Sequence, residues 1–243
     1  MTLVAFDTSM PVTAACVVRE DGQAFVSEPP STERLLGSPD HSAELLPLLG
    51  ELLRAAGRDW PDVGSIAVGV GPGTFTGLRI GIATARGLAQ ALDVGLHPVS
   101  SLEALAEGMR AAAAPGRALV PLIDAKRNQV FASLFRATGG SGPLRREWGP
   151  LALPGEELVA SLSSAGHAPL AAGDWAIESR RDLEAAGVEV PSSASGLHAI
   201  DARHVSRLGR AAAPRAPHEV RPVYVRLPDA EIYKRSAPDR ETG

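Results

Sequence analysis

Gly71-Pro72-Gly73-Thr74-Phe75-Thr76-Gly77-Leu78-Arg79-Ile80-Gly81 is the stretch on which the fold turns. The apolar run Ser65-Ile66-Ala67-Val68-Gly69-Val70 before it reads as a buried strand, and the Ala-rich run at 82–92 after it reads as a helix. The stretch is therefore a strand-to-helix turn, with glycines where backbone approaches something closely. No Lys-Ser/Thr pair closes it, which excludes a P-loop. Gly77 falls one residue too late for the dinucleotide fingerprint that Gly71 and Gly73 begin. Two uses remain. The amides at the helix start could face an anion. Alternatively Gly73, Gly77 and Gly81, four apart, join Thr84, Ala85 and Leu88 in a small-residue stripe that admits a second helix. The second use is favoured, because such helix faces are far commoner than phosphate sites.

Upstream, residues 3–7 and 12–18 read as strands, and Asp21-Gly22 as a hairpin turn into a third at 23–27. After a polar loop holding Pro29, Pro30 and Pro39, residues 42–56 carry Leu45, Leu48, Leu49, Leu52 and Leu53 at helical spacing. Downstream, a strand at 96–99 meets Ser100-Ser101-Leu102-Glu103, where either serine suits a helix N-cap. The pattern then restarts. Strands at 119–124, 129–136 and 145–151 follow, the loop Thr138-Gly139-Gly140-Ser141-Gly142-Pro143 joining the last two. Helices at 156–164 and 176–186 flank a strand at 169–172, and a last helix spans 199–212. The order β-β-β-α-β-α occurs twice, which predicts a duplicated α/β architecture. Its lobes would be 1–99 and 100–198, the last helix packing back on the first lobe and 228–243 forming a flexible tail.

Both halves open on an apolar strand that ends in aspartate, Leu3-Val4-Ala5-Phe6-Asp7 and Val120-Pro121-Leu122-Ile123-Asp124. In a duplicated fold these carboxylates occupy equivalent strand ends, where ligands bind. Asp7, Thr8, Ser9 and Asp124 are thus candidates for a Mg²⁺-nucleotide cleft. The competing reading has each aspartate accept backbone hydrogen bonds in its own turn. For Asp7 the two readings stand even; for Asp124, before Ala125-Lys126-Arg127-Asn128, the hairpin reading is favoured.

Other chemistry is sparse. A metal site on a helix that starts at His41 needs a second ligand at i+4, and that position is Leu45. His41 is expected in a cap or surface role. His97, His167, His198, His204 and His218 show no ligand spacing. No Gly-x-Ser-x-Gly elbow supports a serine hydrolase, and Cys16 has no partner that would mark a nucleophile.

Composition narrows the classes further. The 243 residues are 44% apolar but only 4% aromatic, so Ala, Leu and Val must fill the core. One cysteine excludes a disulfide framework and suits a reducing cytoplasm. Asp7 interrupts the N-terminal apolar run too early for a signal peptide, and no run approaches the roughly 18 residues of a membrane span. The net charge of −4 provides no general field for nucleic acid. From Asp201 onward nine Lys/Arg face six Asp/Glu, scattered as on a solvated face.

Asp7-Thr8-Ser9, His41-Ser42 with Leu45-Leu46-Pro47, the glycine run 71–81, Ser100-Ser101-Leu102-Glu103-Ala104-Leu105-Ala106, Ile123-Asp124-Ala125-Lys126-Arg127 and Pro222-Val223-Tyr224-Val225-Arg226 together resemble the TsaB (YeaZ) family. This is the dimerization subunit of the bacterial tRNA threonylcarbamoyladenosine complex. The resemblance spans nearly the whole chain, and the glycine run is its most specific part. It implies a duplicated, two-lobed actin-like fold (ASKHA, RNase H-like) and a non-catalytic scaffold role in tRNA processing. The partner would be the transferase TsaD, whose His-x-x-x-His metal motif is matched here only by His41 and Leu45. It implies ATP, Mg²⁺ and metal on the partner, no cofactor in the isolated chain, the ATPase subunit TsaE in the complex, and a homodimer when alone. Contact with tRNA would come only through the complex and none with membrane. The pairing surface expected from these helices comprises Leu45, Leu48, Leu49, Leu52, Gly73, Gly77, Arg79, Gly81, Thr84, Ala85 and Leu88. The chain departs from the family at Gly173-Asp174-Trp175, where a second glycine is expected, and at Lys126, where arginine is more usual. Older family names are glycoprotease-like, but no residue here supports peptidase chemistry. An independent actin-like ATPase or small-molecule kinase is the alternative.

Overall fold

The computed structural model describes residues 1–137, 142–163 and 168–225. The sequence expectations for the tail 228–243, for Arg226, for His167, for residues 138–141 of the glycine-serine loop and for Ser164 lie outside them.

The first sheet has strand order β3-β2-β1-β4-β5, built from β1 (Thr2–Asp7), β2 (Ala14–Val18), β3 (Ala24–Val26), β4 (Val63–Gly69) and β5 (Leu96–Val99). β1 lies antiparallel to β2, with Leu3 opposite Val18, and parallel to β4. All six residues of β1 are buried, as befits a central strand covered on both faces. Alternation then sorts the side chains. Val4, Phe6, Ile66 and Val68 face one layer and Leu3, Ala5, Cys16 and Ala67 the other. The first layer is closed by α2 (His41–Ala55) and α3 (Phe75–Leu92). A short helix that the proline-rich loop did not announce, α1 (Thr32–Leu35), is capped by Ser31.

α4 (Ser101–Met109) runs between two sheets. Leu102 and Leu105 enter the core under β1, while Ala106 and Met109 pack with Leu119 and Phe135. The second sheet has order β8-β7-β6-β9, from β6 (Ala118–Lys126), β7 (Gln129–Ala137), β8 (Leu144–Pro154) and β9 (Leu170–Ala172). β6 is antiparallel to β7 and parallel to β9, which repeats the pairing of β1 with β2 and β4. Helices α5 (Gly155–Ser163), α6 (Asp174–Glu178) and α7 (Arg180–Ala185) cover its outer face through Leu158, Trp175 and Leu183. The single helix expected at 176–186 is thus two, parted at Ser179. Among the described residues the first sheet has a fifth strand that the second does not. The result is a duplicated actin-like α/β fold.

α8 (Ala202–Ala211) returns to the first sheet. It packs so closely that a Cβ at Gly209 would lie 2.5 Å from that of Ala67. Glu107 of α4 ties it there. Its buried carboxylate accepts from Arg110 Nε at 2.8 Å and Arg207 Nη2 at 2.6 Å. Burial pushes this carboxyl up, but the two arginines outweigh that and hold it below the usual range.

Candidate functional site

The end of β1 and the glycine run meet directly. Asp7 is 1% exposed, and both its carboxylate oxygens are engaged. Oδ1 accepts from Ser9 N at 2.7 Å and Ser9 Oγ at 2.5 Å; Oδ2 accepts from Ser101 Oγ at 2.6 Å. Ser101 Oγ in turn accepts from Gly71 N at 3.1 Å, and Ser101 N donates to Gly71 O. Thr8 Oγ1 donates to Gly77 O at 2.8 Å, and Thr74 N to Ser9 O. Of the two readings of Asp7, the turn is the one built: the carboxylate is an internal strut between β1, the glycine run and the first residue of α4.

The glycines make this contact sterically feasible. A Cβ at Gly77 would stand 2.0 Å from Thr8 O, and one at Gly81 2.2 Å from Thr8 Oγ1; Gly73 is similarly pressed on Ser9. The stripe is real, but it accommodates the chain's own Thr8-Ser9 turn rather than a second helix. That corrects the expected role of Gly73, Gly77 and Gly81 as partner contacts. The same correction applies to Leu45, Leu49, Leu52 and Ala85, which are buried in the protein's own core. Leu48, Thr84 and Leu88 are half-buried and Arg79 is exposed.

His41 is not at the surface either. It is 2% exposed, with Nδ1 2.8 Å from Thr13 Oγ1. Burial pushes its pKa down, against the charges of Asp7, Glu44 and Asp40. Leu45, where a second metal ligand would stand, faces the core. Among the described residues no three His, Cys, Asp or Glu side chains could together hold a metal. Burial pushes the Cys16 thiol up to about 12, far from nucleophilic use.

In the second lobe, Asp124 sits at the position equivalent to Asp7 but closes its own hairpin. Lys126 N reaches Oδ1 at 2.7 Å and Lys126 Nζ reaches Oδ2 at 2.5 Å. The turn holds Lys126, Arg127 and Asn128 all at positive φ, a conformation costing about 1 kcal/mol or more per side chain. Gly173 (φ 132°) is pressed against Leu122 O, so a side chain there is excluded. Asp174, which follows it, is the acidic group that sequence reasoning missed. Its Oδ1 accepts from Asp124 N and Trp175 N, and burial raises its pKa to about 7.

A raised acid pKa means that the folded state holds a proton the unfolded chain releases. The penalty is absent below about pH 4, grows to pH 7 and is full above it. Asp174→Asn is therefore expected to stabilise the protein more at pH 8 than at pH 5, by about 2–3 kcal/mol or roughly 5–10 °C in melting temperature. Calorimetric scans at the two pH values check this; a difference that does not vary with pH contradicts it.

A cavity of about 630 Å³ opens nearby between Val12–Ala14, the segment after β3 and the start of α8. Asp7, Ser9 and Asp124 do not line it.

The architecture and this site define a class: an actin-like two-lobed protein whose strand-end aspartates brace their own turns. Comparison with known proteins narrows it. The family model for the tRNA N6-adenosine threonylcarbamoyltransferase TsaD matches residues 36–142. The Bacillus subtilis tRNA threonylcarbamoyladenosine biosynthesis protein TsaB is 34% identical over 144 residues, 58% of this chain and 57% of that protein. Its Haemophilus influenzae counterpart is 33% identical over 135 residues, 55% and 53%. The matched segment thus spans little more than half of these curated relatives. The solved structure of YeaZ from Pseudomonas aeruginosa superposes with a TM-score of 0.74 at 28% identity, covering 92% of this chain and 99% of that one. The chain is thus similar to TsaB (YeaZ) proteins, in sequence over these segments and in fold over nearly its whole length.

Proposed function

We propose that this protein is a non-catalytic scaffold subunit required for threonylcarbamoylation of adenosine 37 in tRNA, and that it works by pairing with the transferase TsaD. One observation carries this reading. The outward faces of α2 and α3 form a low, largely apolar surface, with Ala43, Leu46, Pro47 and Gly50 on one helix and Ala83 and Gly87 on the other. Leu46 is 48% exposed, and a Cβ at Gly50 or Gly87 would meet nothing within 4 Å. Small residues let helices approach closely, and apolar patches of this kind mark protein contacts. The partner surface is thus the opposite side of the two helices expected from sequence. The TsaD family model matches residues 36–142 of this chain, which supports a partner with a similar helix pair. Two such helix pairs can face each other, and a second copy can take the place in the isolated protein. ATP, Mg²⁺ and metal belong to the partner subunits, TsaE among them; tRNA is met in the complex, in the cytoplasm. No helix among the described residues is long and apolar enough to cross a membrane.

Gly87→Arg tests the surface. The position is exposed and helical, so arginine there fits without strain and improves helix propensity. Sedimentation of the variant with the transferase of the same organism is expected to show at least a tenfold loss of complex with an unchanged melting temperature. A complex of wild-type affinity contradicts the reading.

A further inference from the structure

The start of α3 carries a group that the core does not use. The guanidinium of Arg79 lies 3.8 Å from the centroid of the Phe75 ring, one turn earlier on the helix. Its Nε donates to Tyr224 Oη at 3.2 Å, and the Tyr224 ring stands 5.6 Å from that of Phe75. Tyr224 is itself fixed. Val223 N donates to Val70 O, Arg86 donates to Val220 O, and Val220 is buried, so the segment 218–225 is strapped along α3. Yet Phe75 is 40% and Tyr224 43% exposed. Arg79 Nη1 and Nη2 have no acceptor among the described residues, and the first turn of α3 contains no acidic residue.

An exposed arginine ordinarily loses side-chain entropy when it pairs, which is why surface ion pairs contribute little. Here that loss has been met in folding. The ring stack and the phenol fix the guanidinium plane, and its two terminal nitrogens present a fork matched to a carboxylate. The positive end of an 18-residue helix adds to the field. On a chain of net charge −4, this is a localised cationic point one turn from Ala83 on the proposed pairing face.

We propose that Arg79 is a carboxylate receptor, which takes an Asp or Glu side chain of the protein seated on the α2–α3 face and fixes its register there. This rests on the pairing reading above. A protein carboxylate fits better than a nucleic-acid phosphate, because aromatic and apolar surface flanks the fork and the chain as a whole is acidic.

The test is calorimetric titration with the transferase at 50 and 500 mM NaCl. Arg79→Ala is expected to weaken binding ten- to a hundredfold at low salt. Arg79→Lys should behave nearly alike, because charge without the fork is not enough. Tyr224→Phe, which frees the guanidinium but keeps the ring, should cost about three- to tenfold. Wild-type affinity should fall with salt while that of Arg79→Ala hardly changes. Arg79→Ala binding within twofold of wild type, while Gly87→Arg abolishes the complex, overturns this assignment and leaves the pairing reading standing. No wild-type complex at all overturns both. An Arg79→Ala protein that binds the transferase normally but loses affinity for tRNA shows that the fork takes phosphate, which also overturns the assignment.

Discussion

Replacing Gly77 with alanine is expected to lower the melting temperature by roughly 6–12 °C. The new Cβ would stand 2.0 Å from Thr8 O and 2.6 Å from Thr74 Oγ1, and neither can retreat cheaply. Thr8 lies in a fully buried turn pinned by its own bond to Gly77 O, and Thr74 N is held by Ser9 O. Overpacking against backbone costs about 3 kcal/mol, and for a chain of this size each kcal/mol moves the transition by about 2–4 °C. Gly81→Val should act in the same direction through Thr8 Oγ1, at 2.2 Å. Had these glycines served a partner helix, the same substitutions would abolish pairing and leave the isolated fold intact. Melting curves of the isolated variants separate the two cases; an unchanged transition with lost pairing restores the partner role.

The second large effect is at Asp7. Asp7→Ala removes the acceptor of Ser9 N, Ser9 Oγ and Ser101 Oγ, all inside the protein. A buried donor left unpaired costs about 1–3 kcal/mol, so a total of about 3–6 kcal/mol and a loss of roughly 10–20 °C is expected. Asp7→Asn keeps one oxygen and should recover part of it. The damage should spread to the start of α3, because Ser101 passes the contact on to Gly71. A variant that melts within 2 °C of wild type but loses affinity for Mg²⁺-ATP would instead mark Asp7 as a ligand of a nucleotide site.

Much of the architecture is legible from residue order. The strand-glycine-helix transition at 65–92 and the twin strands ending in Asp7 and Asp124 define the duplicated α/β frame. What periodicity cannot show is what covers a face. The Gly73-Gly77-Gly81 stripe reads equally well against a foreign helix or against Thr8, 69 residues upstream of Gly77, and only the folded register decides. His41 looks like a surface residue until the fold sets it against Thr13, 28 positions away. Asp174 looks like an ordinary helix-start acid, and its raised pKa arises from burial that no local pattern encodes. The carboxylate fork at Arg79 needs Tyr224, 145 residues on, to take shape.

The central claim is that this protein acts through the outer surface of α2 and α3 rather than through the aspartates at its strand ends. The most direct measurement is the threonylcarbamoyladenosine content of tRNA, read by mass spectrometry after reaction with the transferase and its other partners. Each of the wild-type chain, Gly87→Arg and Asp124→Asn is added in turn. An amide at Asp124 keeps an oxygen that can accept from Lys126 N, so this variant should fold and probes the second strand-end carboxylate alone. The account predicts full modification with Asp124→Asn and a loss of at least tenfold with Gly87→Arg. Modification abolished by Asp124→Asn in an intact complex, or sustained by Gly87→Arg, would contradict it.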